Sequence, residues 1–256
     1  MNSPVRLGII SALHEEQDGL LAAMQDRQSR QIAGRTYTAG RLWDVDSVCV
    51  LSRIGKVGAS ATACMLVAHY NVSHILFTGV AGGADPALHV GDIVLAQELV
   101  QHDMNAEPLF PRYQIPLTGI TRFAADAAFS EILQQACSDF LREDFLQMVS
   151  AQTRDCFQLR QVQCVRGLIA SGDEFINSST RLAQLKQAFP DLLAVEMEGA
   201  ALAQVCHEFG IPLAVMRSLS DGANESAAHD FTRFTNEVAA RYAQGVVRRL
   251  CQRLAA

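Results

Sequence analysis

The sequence predicts an α/β fold, a single domain of three layers in which helices flank a mostly parallel, mixed central β-sheet. Two observations carry this prediction. Apolar runs of strand length alternate with longer segments whose apolar residues recur at helical spacing. Hydrophobic residues make up 49% of the 256 residues, enough for one large core. Because no repeat, low-complexity segment or linker interrupts the pattern, one domain is expected over residues 1–256.

The first half of the chain is strand-rich. Buried strands are predicted at 5–12, 37–40, 47–52, 74–78 and 90–96. An acidic corner at 14–18 follows the first strand and opens a helix. A small-residue helix follows Gly55 and continues to Ala68. The glycine-rich turn at 79–84 lets the backbone approach a ligand closely.

The second half begins with an irregular segment at 102–120, which three prolines punctuate and which is typical of a lid or an interface arm. An amphipathic helix is predicted over 123–145, whereas 146–161 shows no clear pattern. Further strands are predicted at 162–171, at 192–195 and at 211–218. Helices are predicted from 178 to 185, from Gly199 onward and over 231–254.

Composition excludes several classes of function. The formal charge is −6 and only two lysines occur, so a nucleic-acid partner is not expected. The seven cysteines form no CxxC pair, which favours reduced, mostly buried thiols. No signal peptide or membrane-length apolar run is recognisable, and a cytoplasmic protein without a membrane partner is expected. No zinc spacing, P-loop or dinucleotide fingerprint occurs.

Three acidic residues, Glu16, Glu198 and Asp221, each lie just beyond an apolar strand. In a parallel sheet such positions converge at one edge, where ligands bind. Cleavage of a glycosidic bond needs an acid for the leaving group, a base for water and a group that holds the sugar. No GxSxG serine offers a covalent route. The residues therefore favour acid/base hydrolysis of a small sugar-bearing ligand.

The acids at two of these three positions also have a plainer interpretation. Glu15 and Glu16 stand where first-turn acids complement a helix dipole. Glu196 and Glu198 flank a strand-to-helix corner and are equally placed to cap the helix that follows. Two buried carboxylates need partners, however, so a ligand hydroxyl or a cation is expected beside them.

Seven short motifs at these positions occur in the order found in one family. The chain resembles the 5'-methylthioadenosine/S-adenosylhomocysteine nucleosidases of the purine nucleoside phosphorylase superfamily. The match weakens over 102–161. The motifs are Leu7-Gly8-Ile9-Ile10 through Glu15-Glu16, Ile54-Gly55-Lys56-Val57, Thr78-Gly79-Val80-Ala81-Gly82-Gly83, Val90-Gly91-Asp92-Ile93-Val94, Arg166 through Asp173 with Phe175-Ile176-Asn177, Ala194-Val195-Glu196-Met197-Glu198, and Arg217-Ser218-Leu219-Ser220-Asp221.

The resemblance implies hydrolysis of the bond between adenine and a 5'-thio-substituted ribose, with no cofactor and no metal. It assigns activation of the attacking water to Glu16 and protonation of adenine N7 to Asp221, assisted by Ser220. Glu198 would bind the ribose hydroxyls, which leaves Glu196 with a structural salt bridge or a cap.

The same resemblance implies the substrate-binding residues. Val80 and Gly82 belong to the glycine-rich turn of the site. The remaining assignments are Phe175 stacking near the base, the Ile176 backbone reading the base edge, Met197 packing on the sugar, and Ile54 and Phe231 lining the alkylthio pocket. The family works as a homodimer, in which the segment after His102 is expected to reach the neighbouring site.

Two departures from the family pattern keep rival functions open. Val80 stands where the family commonly has a serine or threonine, and Leu13 replaces a more usual methionine. A phosphate-dependent nucleoside phosphorylase is the first rival, because Arg53 or Arg217 would be able to reach an anion. A hydrolase for another 5'-modified nucleoside, such as futalosine, is the second. A non-catalytic sensor of an adenosine ligand is the third.

Overall fold

The computed structural model describes residues 5–255, so the two ends of the domain predicted over 1–256 lie outside the described residues. The strands are β1 Arg6–Ser11, β2 Gln25–Ile32, β3 Arg35–Leu42, β4 Val45–Leu51, β5 His74–Gly83, β6 Ile93–Gln101, β7 Arg122–Ala124, β8 Cys164–Ser171, β9 Leu192–Glu196 and β10 Leu213–Asp221. The helices are α1 Asp18–Ala23, α2 Lys56–Ala68, α3 Ala127–Asp139, α4 Phe145–Met148, α5 Ala151–Cys156, α6 Ser179–Ala188, α7 Gly199–Phe209, α8 Ala227–Phe234 and α9 Ala240–Leu254.

All ten strands belong to one mixed sheet, which confirms the predicted α/β class. Parallel pairing joins β4 to β1, β1 to β5, β5 to β10, β6 to β8 and β8 to β9. Antiparallel pairs are β2–β3, β3–β4, β5–β9, β6–β7 and β6–β10. Since β5 pairs with both β10 and β9, the circuit β5–β10–β6–β8–β9 closes on itself, a closure that the sequence did not predict.

Helices cover both faces of the sheet, and the side chains of its strand β1 alternate between two apolar clusters. Leu7 and Ile9 of β1 belong to the cluster that contains α3 and α9. Ile10 belongs to the opposite cluster, with Leu66 of α2 and Leu202 of α7. All five side chains are fully buried. The sheet therefore lies between two helical layers, and its strand ends hold the loops, where function is usually carried.

The structure corrects the predicted elements in several places. Residues 79–83, which were predicted as part of a glycine-rich turn, are instead the last part of strand β5. Strand β2 was not predicted, because its side chains are nearly all exposed and polar and it pairs only with β3 at the sheet edge. The helix predicted over 123–145 instead begins at Ala127, where the Asp126 carboxylate accepts the Phe129 amide at 2.7 Å. It continues through a π-helical turn, Phe140–Asp144.

The unpatterned segment 146–161 contains the end of α4 and the short helix α5. The closing helix begins earlier than predicted, as α8, and a second π-helical turn, Thr235–Ala239, joins it to α9. The segment 102–120 is irregular, as predicted. Among residues 5–255, no helix combines the length and the apolar character that crossing a membrane requires.

Candidate active site

A cavity of about 320 Å³ opens at the carboxyl ends of β1, β5, β9 and β10. Every site residue predicted from the sequence lines it except Ser220, which lies behind Asp221. Several lining residues were not predicted as site residues. The lining residues are Ala12, Leu13, Glu16, Ile54, Val80, Ala81, Gly82, Glu174, Phe175, Ile176, Val195, Glu196, Met197, Glu198, Arg217, Asp221 and Phe231.

Glu16 lies in the corner between β1 and α1 and is 2% exposed. Its Oε2 accepts the backbone amides of Ala12 and Leu13 at 2.8 and 3.0 Å, and its Oε1 accepts the amide of Val80 at 3.3 Å. Burial raises the pKa of Glu16, against the opposing influence of the Arg217 guanidinium and the three amides. Three backbone donors thus fix a carboxylate that is more basic than an ordinary glutamate.

Glu198 lies immediately before α7 and is 5% exposed. Its Oε1 accepts the backbone amide of Gly55 at 2.8 Å, and its Oε2 lies 3.8 Å from Arg217 Nη2. Burial, and then the neighbouring charge of Glu196, raise the pKa of Glu198 to about 8. Because Glu198 lines the cavity, its second oxygen is available to a ligand hydroxyl.

Asp221 ends β10 and is 4% exposed. Its Oδ2 accepts the Ser220 hydroxyl at 2.7 Å and its Oδ1 accepts the Ala223 amide at 2.8 Å. Burial raises the pKa of Asp221, so it keeps its proton to higher pH than an ordinary aspartate. A Cβ on Gly82 would lie 3.0 Å from Asp221 Oδ1, so glycine leaves this carboxyl group room.

Arg217, whose role the sequence left open, is 1% exposed and is committed to the protein's own acids. Its Nη2 donates to Glu196 Oε2 at 2.6 Å, and its guanidinium carbon stacks 3.6 Å from the centre of the Phe77 ring. The Glu196 carboxylate also accepts the Gly199 amide at the start of α7 and the Ser171 hydroxyl. Glu196 therefore forms both the salt bridge and the helix contact expected of it.

Apolar side chains form the rest of the cavity wall. The rings of Phe175 and Phe231 meet edge to face, with centroids 5.9 Å apart. Ile176 is buried, whereas Ile54 is 57% exposed and Phe175 is 41% exposed at the mouth. The cavity thus combines carboxyl groups in its depth with an apolar opening.

Arg53, the other arginine considered for an anion, does not line the cavity and donates to the Gly34 carbonyl at 2.5 Å. Within residues 5–255, no group of three or more histidine, cysteine, aspartate or glutamate side chains is arranged to hold a metal ion. The chemistry available at this site is that of carboxyl groups, one paired guanidinium and backbone amides.

Comparison with known proteins agrees with this geometry. The family model described as "Phosphorylase superfamily" matches residues 6–252, so the chain belongs to that superfamily. A 5'-methylthioadenosine/S-adenosylhomocysteine nucleosidase from Geobacillus kaustophilus is 37% identical over 245 residues, which cover 95% of each chain. Within the superfamily, the chain belongs to this nucleosidase family.

Two solved structures extend the comparison. The nucleosidase of Colwellia psychrerythraea 34H in complex with adenine has a TM-score of 0.86 and 31% identity, covering 98% of this chain and 96% of the other. The futalosine hydrolase of Helicobacter pylori strain 26695 has a TM-score of 0.83 and 28% identity, covering 97% and 98%. The fold is therefore shared by hydrolases that differ in their named substrates.

Proposed function

We propose that the protein hydrolyses the N-glycosidic bond of 5'-methylthioadenosine and of S-adenosylhomocysteine, releasing adenine and the 5'-thio-ribose. The observation that carries this proposal is the convergence of Glu16, Glu198 and Asp221 on one cavity, each buried and each with a raised pKa. Such a set supplies the base, the sugar-binding group and the acid that an oxocarbenium-like transition state needs.

Glu16 is the proposed base for water. The amides of Ala12, Leu13 and Val80 hold its carboxylate, and the raised pKa improves proton abstraction. Val80 has no side-chain hydroxyl to orient water or acid, but its backbone amide already contacts Glu16 Oε1. This amide supports catalysis despite the departure from the serine or threonine common in the family.

Asp221 is the proposed acid for adenine N7. Its raised pKa keeps a proton available, and the Ser220 hydroxyl fixes its orientation through the 2.7 Å hydrogen bond. Protonating the base as the bond breaks turns adenine into a neutral leaving group. Ser220 acts from behind Asp221, since it does not line the cavity.

The remaining residues bind the substrate. Glu198 forms hydrogen bonds with the ribose hydroxyls while Met197 packs on the sugar, as their adjacent places in the cavity allow. Phe175 stacks near adenine and the Ile176 backbone reads its edge. The apolar side chains of Ile54 and Phe231 line the 5'-alkylthio group.

The charges of the site favour water over phosphate as the attacking group. Arg217 is paired with Glu196 at 2.6 Å, so the one arginine that lines this cavity among the described residues has its charge balanced within the protein. Arg53 is bound to a backbone carbonyl outside the cavity. A phosphorylase would need unpaired cationic donors in this place.

An adenine-release assay tests the proposal. 5'-Methylthioadenosine, S-adenosylhomocysteine and adenosine are incubated with the protein in phosphate-free buffer and in buffer with added phosphate. Release of adenine from the two thio-nucleosides without phosphate is expected. A strict need for phosphate would establish a phosphorylase, and binding without release would establish a sensor.

Futalosine is the second candidate substrate, because the futalosine hydrolase of Helicobacter pylori superimposes as well as nucleosidases do. The same assay with futalosine decides between them by the ratio of kcat/KM values. The 37% identity to curated 5'-methylthioadenosine/S-adenosylhomocysteine nucleosidases favours the thio-nucleosides.

Homodimerisation is also proposed. Leu109 and Leu117 of segment 102–120 are 84% and 91% exposed. Ile54, which lines the cavity, is 57% exposed, and Val57 of α2 is 81% exposed. Large apolar side chains at such exposure favour a partner surface, and a second copy of this chain supplies the same kind of residues. A cytoplasmic location is proposed because all seven cysteines are free.

A further inference from the structure

Three loops that follow different strands meet in a closed ring of hydrogen bonds beside the cavity. Lys56 follows β4, Asp103 follows β6 and Asp173 follows β8. Lys56 Nζ donates to Asp103 Oδ1 at 2.6 Å, and the Asp173 amide donates to Asp103 Oδ2 at 2.9 Å. The Lys56 amide donates to Asp173 Oδ1 at 2.8 Å, which completes the ring. We call these three residues the three-loop network.

The network adjoins the proposed ribose-binding group. Gly55, whose amide donates to Glu198 Oε1, directly precedes Lys56. Gly55 has φ +98°, and a Cβ there would lie 3.0 Å from Asp173 Oδ1. Because the Lys56 amide is bonded to that same oxygen, Asp173 fixes the peptide unit next to the one that holds Glu198. A shift of Lys56 would therefore carry the Gly55 amide away from the carboxylate.

A second connection links Lys56 to the helix that follows Glu198. Lys56 Nζ also donates to Gln101 Oε1 at 3.3 Å, and Gln101 Nε2 donates to Gln204 Oε1 at 2.9 Å. Gln204 belongs to α7, the helix that begins immediately after Glu198. The Lys56 ammonium thus takes part in two chains of hydrogen bonds. One returns through Asp103 and Asp173 to the Lys56 amide, next to Gly55. The other leads through Gln101 to Gln204 of α7.

The ring contains a charged pair that is largely withdrawn from solvent. The side chains of Lys56 and Asp103 are 17% and 26% exposed, so solvent screens their attraction only in part. Although burial raises it, hydrogen bonds from the Lys56 ammonium and the Asp173 amide hold the pKa of Asp103 below its usual value. Charge-assisted hydrogen bonds of this kind are both shorter and stronger than neutral ones.

We propose that Lys56 and Asp103 are positioning residues that hold the Gly55 amide against Glu198, and so set how strongly the enzyme recognises the ribose hydroxyls. This inference rests on the proposed function of Glu198. It requires no contact between the network and the substrate, and Lys56, Asp103 and Asp173 do not line the cavity. The effect of losing the network should therefore depend on whether the substrate carries those hydroxyls.

The test compares 5'-methylthioadenosine with its 2',3'-dideoxy counterpart in the wild type and in Lys56→Met and Asp103→Asn. Each variant is expected to lower kcat/KM for the ribonucleoside by about tenfold and for the dideoxy compound by less than about twofold. The double variant should match the more impaired single variant within about twofold, because both changes break one interaction. Lys56→Arg keeps a donor, so its ratio of kcat/KM for the ribonucleoside to kcat/KM for the dideoxy compound should be close to that of the wild type.

Lys186→Met is the matched control, since Lys186 has 26% exposure and pairs with Asp85 at 3.4 Å outside the cavity lining. This variant should leave the ratio of the two kcat/KM values unchanged. Three results would overturn the proposal. They are an equal loss of kcat/KM for both substrates in Lys56→Met, no loss in that variant, and losses that multiply in the double variant. Asp103→Asn is isosteric and carries the test if Lys56→Met does not fold.

The two proposals fail separately. Calorimetry also measures the affinity of each protein for 5'-methylthioadenosine and for its 2',3'-dideoxy counterpart, and the ratio of these affinities reports recognition of the ribose hydroxyls. If the wild type releases no adenine, the proposed hydrolysis fails while the affinity ratio still tests the network. If the wild type hydrolyses both nucleosides and the variants keep its ratio, only the network proposal fails.

Discussion

Arg217 donates to Glu196 at 2.6 Å in the interior of the site, where the two side chains are 1% and 3% exposed. This ion pair gives the two acids of the Val195–Glu198 corner different tasks. Glu196 is occupied by Arg217, by Ser171 and by the amide of Gly199. Glu198 receives one amide and faces the cavity with an oxygen to spare.

Loss of the proposed base or acid should lower turnover strongly without unfolding the protein. Glu16→Gln and Asp221→Asn should each lower kcat by about 10²-fold or more, because each removes a proton-transfer group. Glu15→Gln is the matched control for the first, since Glu15 is exposed and does not line the cavity. Adenine release under saturating substrate measures the effect. Near-wild-type turnover in either variant would remove that residue from the mechanism.

The pH profile of kcat/KM should be bell-shaped. Glu16 must be ionised to act as a base, and burial raises its pKa, so the acidic limb should lie at higher pH than an ordinary glutamate would place it. Asp221 must be protonated, and its pKa is also raised, so the rate should fall again as the pH rises past it. In Asp230→Asn the alkaline limb should move to lower pH, since the Asp230 charge raises the pKa of Asp221. An unmoved limb would argue against Asp221 as its source.

Glu198 should make the stability of the folded protein depend on pH. Its pKa is about 8 in the folded protein, against 4.5 for an ordinary glutamate, so the folded state binds the proton more tightly. This contribution to stability is complete below about pH 4.5 and is lost as the pH rises to about 8. The Glu198→Gln variant lacks this pH-dependent loss. Its free energy of unfolding relative to the wild type should therefore increase by about 1 kcal/mol or more between about pH 5 and pH 8. Urea unfolding at both values measures it, and a constant difference would contradict the assignment.

Breaking the buried ion pair should destabilise the fold far more than breaking an exposed one. Arg217→Met leaves Glu196 without its cation, and a cost of about 3–5 kcal/mol in the free energy of unfolding is expected. Arg41→Met is the control, because the Arg41–Asp44 pair is 54% and 84% exposed and should contribute below about 1 kcal/mol. Adding Glu196→Gln to Arg217→Met should recover part of the loss. Equal costs for the two arginines would show that Arg217 is not needed for charge balance.

The proposed homodimer should depend on the exposed apolar residues of segment 102–120. Leu109→Glu places a charge where the side chain is 84% exposed, so it should shift the protein towards monomer. Leu146→Glu on α4, at 69% exposure, is the control and should leave the association unchanged. Light scattering after gel filtration measures the mass. A monomeric wild type at micromolar concentration would contradict the dimer.

Much of the fold followed from local sequence patterns. Strands β1, β5 and β10 were predicted because their apolar runs are buried on both faces of the sheet. Strand β2 escaped prediction because it is an exposed edge strand with polar side chains, and pairing with β3 alone makes it a strand. The two π-helical turns were missed because a π turn has no distinct apolar period.

In the candidate site, too, the sequence determined some features and the tertiary structure decided others. The sequence by itself determined the acids, since a buried carboxylate at a strand end is unusual whatever surrounds it. It also determined the apolar residues of the cavity and the run of small residues at 79–83, although the structure places that run in β5 and not in a turn. Only the tertiary structure decided that Arg217 belongs to Glu196, that β5 closes the strand circuit with β9 and β10, and that Gly55 donates to Glu198 across 143 residues of chain. The physical reason is that propensity and periodicity act over neighbouring residues, whereas charge balance and hydrogen-bond partners depend on which distant segments the fold brings together.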